Sequence, residues 1–410
     1  MDTKPDSALF LAEGFRWFGP EDPVPLGHIR QAGATVVFSS LHQIPYGAAW
    51  PRDLIRQRKD ALANAGLKWE VVESVPVHED IKTGRGDLKQ LFHNYLESLQ
   101  NLAFEGIFVV VYNFMPVLDW VRTEMKHRLP DGSECMRFDP VKFAAFEIHA
   151  LKRQNAEADY SAEQVRQAGI WWNRLANQDR EAYVQTIIDV FPGVKWGLSL
   201  EDIRARLAAF HGMDEKSLRC NLARFLEAIV PAAEKMGIRL AIHPDDPPFP
   251  VLGLPRIVST ASDVEALFKI SSSPANGLCF CTGSFGARKD NDLPMMAARF
   301  APRIHAVHLR NVQHEPDGSF FEADHLSGSV NMPAVMSALL GESDERRRLG
   351  RNDWQIPFRP DHGHTMMDDL GKPQGITPGY SCIGRMRGLS ELRGLMHGLR
   401  HAQGIQAFKS

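Results

Sequence analysis

The stretch Arg239-Leu240-Ala241-Ile242-His243-Pro244-Asp245-Asp246-Pro247-Pro248 decides how the chain is read. An apolar run enters a histidine and is then stopped by a proline–carboxylate turn. Short apolar runs mark strands buried on both faces, and a proline cannot continue a central ladder. His243 is thereby placed at the carboxyl end of a strand, where α/β barrels keep their chemistry. Three later stretches repeat the pattern: Gly277-Leu278-Cys279-Phe280-Cys281, Ile304-His305-Ala306-Val307-His308, and Gln355-Ile356-Pro357-Phe358-Arg359 with Pro360-Asp361-His362-Gly363 behind it. A lone strand-end histidine is more often a packed or surface side chain than a ligand. Here four consecutive units each end on a metal-competent group: His243, Cys281, His308 and Asp361. Neighbouring parallel strands bring such ends within ligand reach, so one divalent ion held by these four is expected.

Working outward, buried strands are predicted at 15–18, 35–40, 68–73 and 106–113, with helices at 25–32, 51–65 and 87–103. Alternation resumes with an amphipathic helix at 217–236, and further helices are predicted at 261–270, 293–300, 332–340 and 389–402. Eight strands alternating with helices and joined by right-handed crossovers predict an α/β fold, a closed (β/α)8 TIM barrel. No Gly-x-Gly-x-x-Gly follows the first strand, which argues against a doubly wound sheet. Between 120 and 213 the pattern is charged, aromatic and helical, with no convincing strand. The expectation is a helical insertion after strand 4 that caps the site from the carboxyl-end face. It would sit within a single domain spanning 1–410.

Composition narrows the function classes. Hydrophobic residues make up 44% and charged residues 24%, the balance of a globular protein. Lys and Arg total 47 against 50 Asp and Glu, a net charge of −3 without long runs of one sign, so neither nucleic acid nor an anionic membrane surface is an expected partner. Five scattered cysteines, at 135, 220, 279, 281 and 382, do not form a secreted disulfide framework. No apolar run has the length of a membrane span. The start, Met1 to Asp6, lacks the pattern of a signal peptide, and a cytoplasmic location is expected.

Two imidazoles, a thiolate and a carboxylate make a borderline-soft site that Zn²⁺, Mn²⁺ or Fe²⁺ would accept. His362 follows Asp361 directly. Arg359 shares strand parity with Asp361 and should point inward, and Arg310 stands two residues beyond His308. A guanidinium pair above a metal suits a carboxylate substrate, although either arginine could equally form a plain ion pair. Tyr380, in the loop Thr377-Pro378-Gly379-Tyr380, is placed to donate a proton or simply to pack. His325 and His78 are further candidates.

At this point the chain resembles the mannonate dehydratase family. The resemblance rests on Trp17 to Pro20, Arg30 to Thr35, Val72 to Lys82, Tyr112 to Trp120 and His243 to Pro248. It extends to Cys281 to Ser284, His308 to Arg310, Arg359 to His364 and Pro378 to Tyr380. It covers nearly the whole chain beyond the first dozen residues, and the combination is specific where single tetrapeptides are not. It implies a xylose-isomerase-like barrel and dehydration of D-mannonate to 2-dehydro-3-deoxy-D-gluconate in hexuronate breakdown. It also implies one Mn²⁺ or Fe²⁺ per chain on His243, Cys281, His308 and Asp361, with His362 and Tyr380 as acid and base and Arg359 beside them. Arg310, Asn113, Asp246 and His325 are expected at a small sugar-acid substrate, and a homo-oligomer, a dimer, is expected. Phe285 stands where the family suggests tyrosine, and Asn311 where it suggests serine.

The chemistry agrees with these residues. The C2 proton of a sugar acid is too weakly acidic for an unaided side chain, and a metal stabilises the developing charge. A base then takes the proton while an acid protonates the leaving C3 hydroxyl. The alternative is a metal-dependent sugar isomerase or epimerase on the same barrel. A barrel phosphodiesterase would call for a carboxylate-rich multinuclear site and a basic groove, which this near-neutral chain does not offer.

Overall fold

Eight short strands, buried along most of their length, close into a parallel barrel in the computed structural model, which describes residues 10–190, 198–372 and 377–404. The leader reading at Met1 to Asp6 and residues 191–197 of the expected insertion lie outside the described residues. The barrel strands are β1 (Ala12–Arg16), β2 (Val36–Ser39), β3 (Lys68–Glu73) and β4 (Val109–Tyr112), then β7 (Arg239–Ile242), β8 (Asn276–Cys281), β9 (Ile304–His308) and β12 (Pro357–Arg359). Their order around the barrel is β1-β12-β9-β8-β7-β4-β3-β2. Alternation along each strand divides the core in two. Val36, Phe38, Val71, Val109, Val111, Ala241, Cys279 and Ala306 fill the interior. Val37, Val72, Val110, Leu240, Ile242, Leu278, Phe280 and Val307 face outward under the helices. Each such aliphatic or aromatic side chain taken fully out of water contributes about 1.5–3 kcal/mol.

Register places the strand ends level. Between β8 and β9, Leu278 pairs with Ile304 but Cys279 pairs with Ala306, a one-residue shift that sets Cys281 opposite His308. Without that bulge Cys281 would face Val307, whose side chain points outward. On the other side of β9, Arg359 pairs with His308.

Several boundaries differ from expectation. The first strand is Ala12–Arg16 and not 15–18. Gly14 sets it, because a Cβ there would lie 2.5 Å from the Phe38 ring and 2.7 Å from Phe358 O, so only glycine lets β1 lie between β2 and β12. The last helix, Cys382–Ala402, begins earlier than 389.

The stretch from 120 to 213, expected to be helical without strands, is mixed. It opens with a hairpin, β5 (Glu124–Arg128) and β6 (Glu134–Phe138). This hairpin joins β10 (Asn311–His314) and β11 (Phe320–Ala323) in an antiparallel sheet of order β10-β11-β6-β5. The strands escaped notice for a physical reason. The edge strand β5 reads Glu-Met-Lys-His-Arg and is half exposed, as edges that avoid further pairing usually are. The local signal that went unused is at the turns, Asp131-Gly132 and Asp317-Gly318, whose glycines take φ of 86° and 88°. Helices follow at Pro140–Ala145, Ala162–Arg174, Asn177–Ile188 and Leu200–Ala208. Val121, Phe138, Phe143, Ile187 and Ile203 of this region share one core with Val251, Leu252, Leu254, Val312 and Phe320 from beyond β7 and β9. Among the described residues, no helix is long and apolar enough to cross a membrane.

Candidate active site

The four strand-end residues meet at the carboxyl mouth of the barrel. His243 Nε2 lies 3.2 Å from His308 Nδ1. One donor atom each from His243, Cys281 and His308 falls within 4.8 Å of the others. Asp361 Oδ2 stands 3.9 Å from both Cys281 Sγ and His308 Nδ1. The remote nitrogens of both rings are occupied: His243 Nδ1 lies 2.7 Å from Pro244 O, and His308 Nε2 lies 3.0 Å from Glu73 Oε2. Such partners fix the tautomer and turn the other nitrogen toward the cluster.

Charge favours the anionic ligand forms of Cys281 and Asp361. Burial raises the Cys281 thiol, but the Arg310 guanidinium and hydrogen bonds from His243 and His308 outweigh it and hold the thiol well below its usual range. Burial likewise works against ionisation of Asp361, yet Arg359, His362, His308 and Arg310 keep it well below the carboxylate range. Burial pulls His243 down, but Cys281, Asp361 and Glu73 push it up to about 9, so a metal ion binding there displaces a proton from this ring. A thiolate, a carboxylate and two oriented imidazoles are a donor set that fits a borderline divalent ion. One layer deeper, burial pushes the Cys279 thiol far up, so that it stays protonated.

Above the cluster, His362 and Tyr380 pack edge to face with ring centres 5.3 Å apart. Tyr380 OH lies 3.5 Å from Asp361 Oδ1, and His362 Nε2 lies 3.9 Å from the same oxygen. The Tyr380 phenol is pushed up to about 12, burial and the charges of Asp361 and Glu73 outweighing Arg359 and Arg16. Both residues line a cleft of about 290 Å³, together with Arg16, Asn113, Asp246, Arg310 and Arg359.

The expected substrate contacts are not equally placed. Arg310 and Arg359 line the cleft, but their guanidinium groups are already engaged by protein carboxylates. Arg359 bonds Glu73 Oε1 at 2.7 Å and pairs with Asp361. Arg310 bonds Glu322 Oε1 at 2.6 Å, pairs with Asp361 Oδ2 at 2.7 Å and also holds Asp246. Asp246 is bound a second time by Arg122 at 2.6 Å, so it too serves the network before any substrate. His325 is absent from the cleft. Asn311 Nδ2 donates to His325 O at 3.1 Å, and the ring lies against Gly388 of the last helix in a separate small pocket with His364 and Glu391.

Several functional neighbours went unread in the sequence. Glu73 ends β3 just as the ligands end their strands, a signal that was available. Arg16 ends β1 in the same way; its Nη2 lies 3.2 Å from His42 Nε2, Nη1 donates to Glu73 O, and it makes no salt bridge among the described residues. Arg122 and Glu322 belong to the unexpected small sheet and its approach, and nothing local marked them. The two departures from the family pattern are accommodated in the core. Phe285 is buried against Phe280 at 5.6 Å. The Asn311 amide donates to His325 O and Val330 O, while its oxygen accepts from Val312 N and Val330 N.

Comparison with known proteins agrees with this geometry. Residues 11–406 match the family described as D-mannonate dehydratase (UxuA). The chain is 46% identical over 393 residues to a mannonate dehydratase of Saccharophagus degradans, covering 96% of this chain and 99% of that one. It is 50% identical over 382 residues to a mannonate dehydratase of Chromohalobacter salexigens, covering 93% and 97%. Among solved structures, the mannonate dehydratase of Streptococcus suis serotype 2 superposes with a TM-score of 0.76 at 32% identity, covering 97% of this chain and 95% of that one. The chain belongs to the D-mannonate dehydratase (UxuA) family.

Proposed function

We propose that this chain is a hydro-lyase that converts D-mannonate to 2-dehydro-3-deoxy-D-gluconate within hexuronate breakdown. The observation that carries the reading is full-length membership of the family together with the convergence of His243, Cys281, His308 and Asp361 beneath His362 and Tyr380. His243, Cys281, His308 and Asp361 would hold one divalent ion, Mn²⁺ or Fe²⁺, ions that accept oxygen donors such as those of a sugar acid. When bound, the ion supplies Lewis acidity where negative charge develops as C2 loses its proton.

The chain's own residues do the rest. Asn113 and Arg16, both on the cleft wall, are placed to meet substrate hydroxyl or carboxylate oxygens. His362 takes the C2 proton through Nε2, and the C–H electron pair becomes the C2–C3 double bond as the C3 hydroxyl departs. Tyr380, whose phenol keeps its proton up to about 12, gives it to that hydroxyl, which leaves as water. Arg359 steadies Asp361 below them. The enol then tautomerises to the 2-keto acid. Trp120, with its ring centre 6.1 Å from that of His362, lets the insertion close over the reaction and keep bulk water away. An assay of metal-stripped protein on D-mannonate with added Mn²⁺, Fe²⁺ or Zn²⁺ tests this. A 3-deoxy-2-keto acid is expected; a product of unchanged composition would instead point to an isomerase or epimerase.

A further inference from the structure

The small antiparallel sheet delivers one carboxylate to the back of His362, a residue of the cleft wall. Glu322, on β11, is 2% exposed. Its Oε1 is the meeting point of three groups: Arg310 Nη1 at 2.6 Å, Arg122 Nη2 at 2.8 Å and His362 Nδ1 at 3.1 Å. Burial opposes its ionisation, but Arg310, Arg122 and His362 hold the carboxyl well below its usual range. An ionised carboxylate only accepts hydrogen bonds. The hydrogen in the 3.1 Å contact therefore sits on His362 Nδ1, and in the neutral ring Nε2 is the lone-pair nitrogen. That nitrogen faces the metal ligands, 3.9 Å from Asp361 Oδ1.

We propose that Glu322 is a positioning residue: it fixes the tautomer and orientation of His362 so that Nε2 accepts the C2 proton, and it stabilises the imidazolium that results. This rests on the reading of His362 as the base. The proton moves from C2 to Nε2, Nδ1 keeps its own, and Glu322 changes neither charge nor protonation. The two arginines serve the same end, since a carboxylate clamped by two guanidiniums cannot rotate away from the ring. Arg122 lies two residues before β5, so the approach to the insertion's hairpin becomes part of the catalytic scaffold.

The test uses the full-length chain loaded with Mn²⁺ and D-mannonate as substrate. The variants are Glu322→Gln, Glu322→Asp, His362→Asn and the double variant His362→Asn/Glu322→Gln, each with kcat, KM, metal content and melting temperature. Glu322→Asp keeps the charge that the arginines need but withdraws it from Nδ1, so it separates contact from charge and decides the matter if Glu322→Gln does not fold. Both single variants at Glu322 should lower kcat at least tenfold, with KM within threefold and metal content unchanged. In the His362→Asn background, Glu322→Gln should add less than threefold. Loss of kcat by the same factor in both backgrounds, or a kcat for Glu322→Asp within threefold of wild type, would overturn the proposal. Should His362→Asn fall below detection, the split between kcat and KM in Glu322→Asp decides. Full activity in His362→Asn would instead remove the base assignment itself, an outcome distinct from failure at Glu322.

Discussion

Glu73 Oε2 lies 3.0 Å from His308 Nε2, while the opposite nitrogen of that ring faces His243 Nε2 across 3.2 Å. A carboxylate behind a metal-binding imidazole fixes its orientation and raises its basicity, and removing one commonly weakens metal binding about 10–100-fold. Burial opposes ionisation of Glu73, but Arg359, His308 and Arg16 hold it well below the carboxylate range, so it acts as a pure acceptor. Glu73→Gln should weaken Mn²⁺ binding about 10–100-fold. Titration against a competing chelator reads this directly, and an unchanged affinity would show that Glu73 serves only Arg359.

The two cysteines of β8 should respond differently to the same change. Cys281 sits opposite His308 at the strand end, and Cys279 lies among the interior barrel side chains with Ala241 and Ala306. Thiolate is a softer donor than hydroxyl, so Cys281→Ser should bind metal more weakly and shift preference from Zn²⁺ toward Mn²⁺. Cys279→Ser should keep most of its activity and metal, at a cost of about 1–3 kcal/mol if its hydroxyl goes unpaired. Its sulfur does touch His308 Nε2 at 3.4 Å, but the stronger partner there is Glu73. Metal content and turnover of both variants across added metals check this. Metal loss in the Cys279 variant with retention in the Cys281 variant would reverse the ligand assignment.

The contrast between these elements explains what was legible in the sequence. A barrel strand buried on both faces is apolar throughout, so β2, β4, β8 and β9 announce themselves, and the residue where the run stops marks the mouth. His243, Cys281 and His308 were readable because each is such a stop, and Asp361 follows two residues after the end of β12. Edge strands such as β5 carry charges that mimic an exposed helix, and their partners lie far off in sequence: Phe321 of β11 pairs with Arg137 of β6. Contacts of that kind leave no local pattern. For the same reason Arg122, 200 residues from Glu322, was invisible as its partner. Ion pairing of Arg310 and Arg359 was left open by the sequence, since strand parity predicts direction and not occupancy.

Arg122 should prove a stability residue as well as a scaffold residue. Its guanidinium is fully buried, bonded to Asp246 at 2.6 Å and Glu322 at 2.8 Å. Removing one member of a buried ion cluster leaves its partners poorly compensated and costs about 3–5 kcal/mol. Arg310 still pairs with both carboxylates, so Arg122→Met should fall near the lower end, about 3 kcal/mol. Chemical unfolding of the variant measures the loss. Wild-type stability would mean that Arg310 alone neutralises the pair.

His305 offers a test of the fold that does not involve the site. It is buried, its Nε2 lies 2.8 Å from Pro274 O, and its ring packs where any side chain on Gly277 would have to go. Burial, assisted by the charges of Arg239 and Arg346, lowers its pKa from 6.5 to about 3. The folded protein therefore keeps this ring neutral, while the unfolded chain protonates it below 6.5. Where the unfolded state binds more protons, stability falls as pH falls. The loss runs from about pH 6.5 downward at about 1.4 kcal/mol per pH unit, roughly 2 kcal/mol by pH 5, and it levels off near pH 3. His305→Gln keeps a donor for Pro274 O but cannot titrate. Whatever it costs at pH 7, the gap between wild type and variant should narrow by about 2 kcal/mol on going to pH 5. Parallel stability curves for the two proteins across that interval would show that His305 takes up its proton in the folded state.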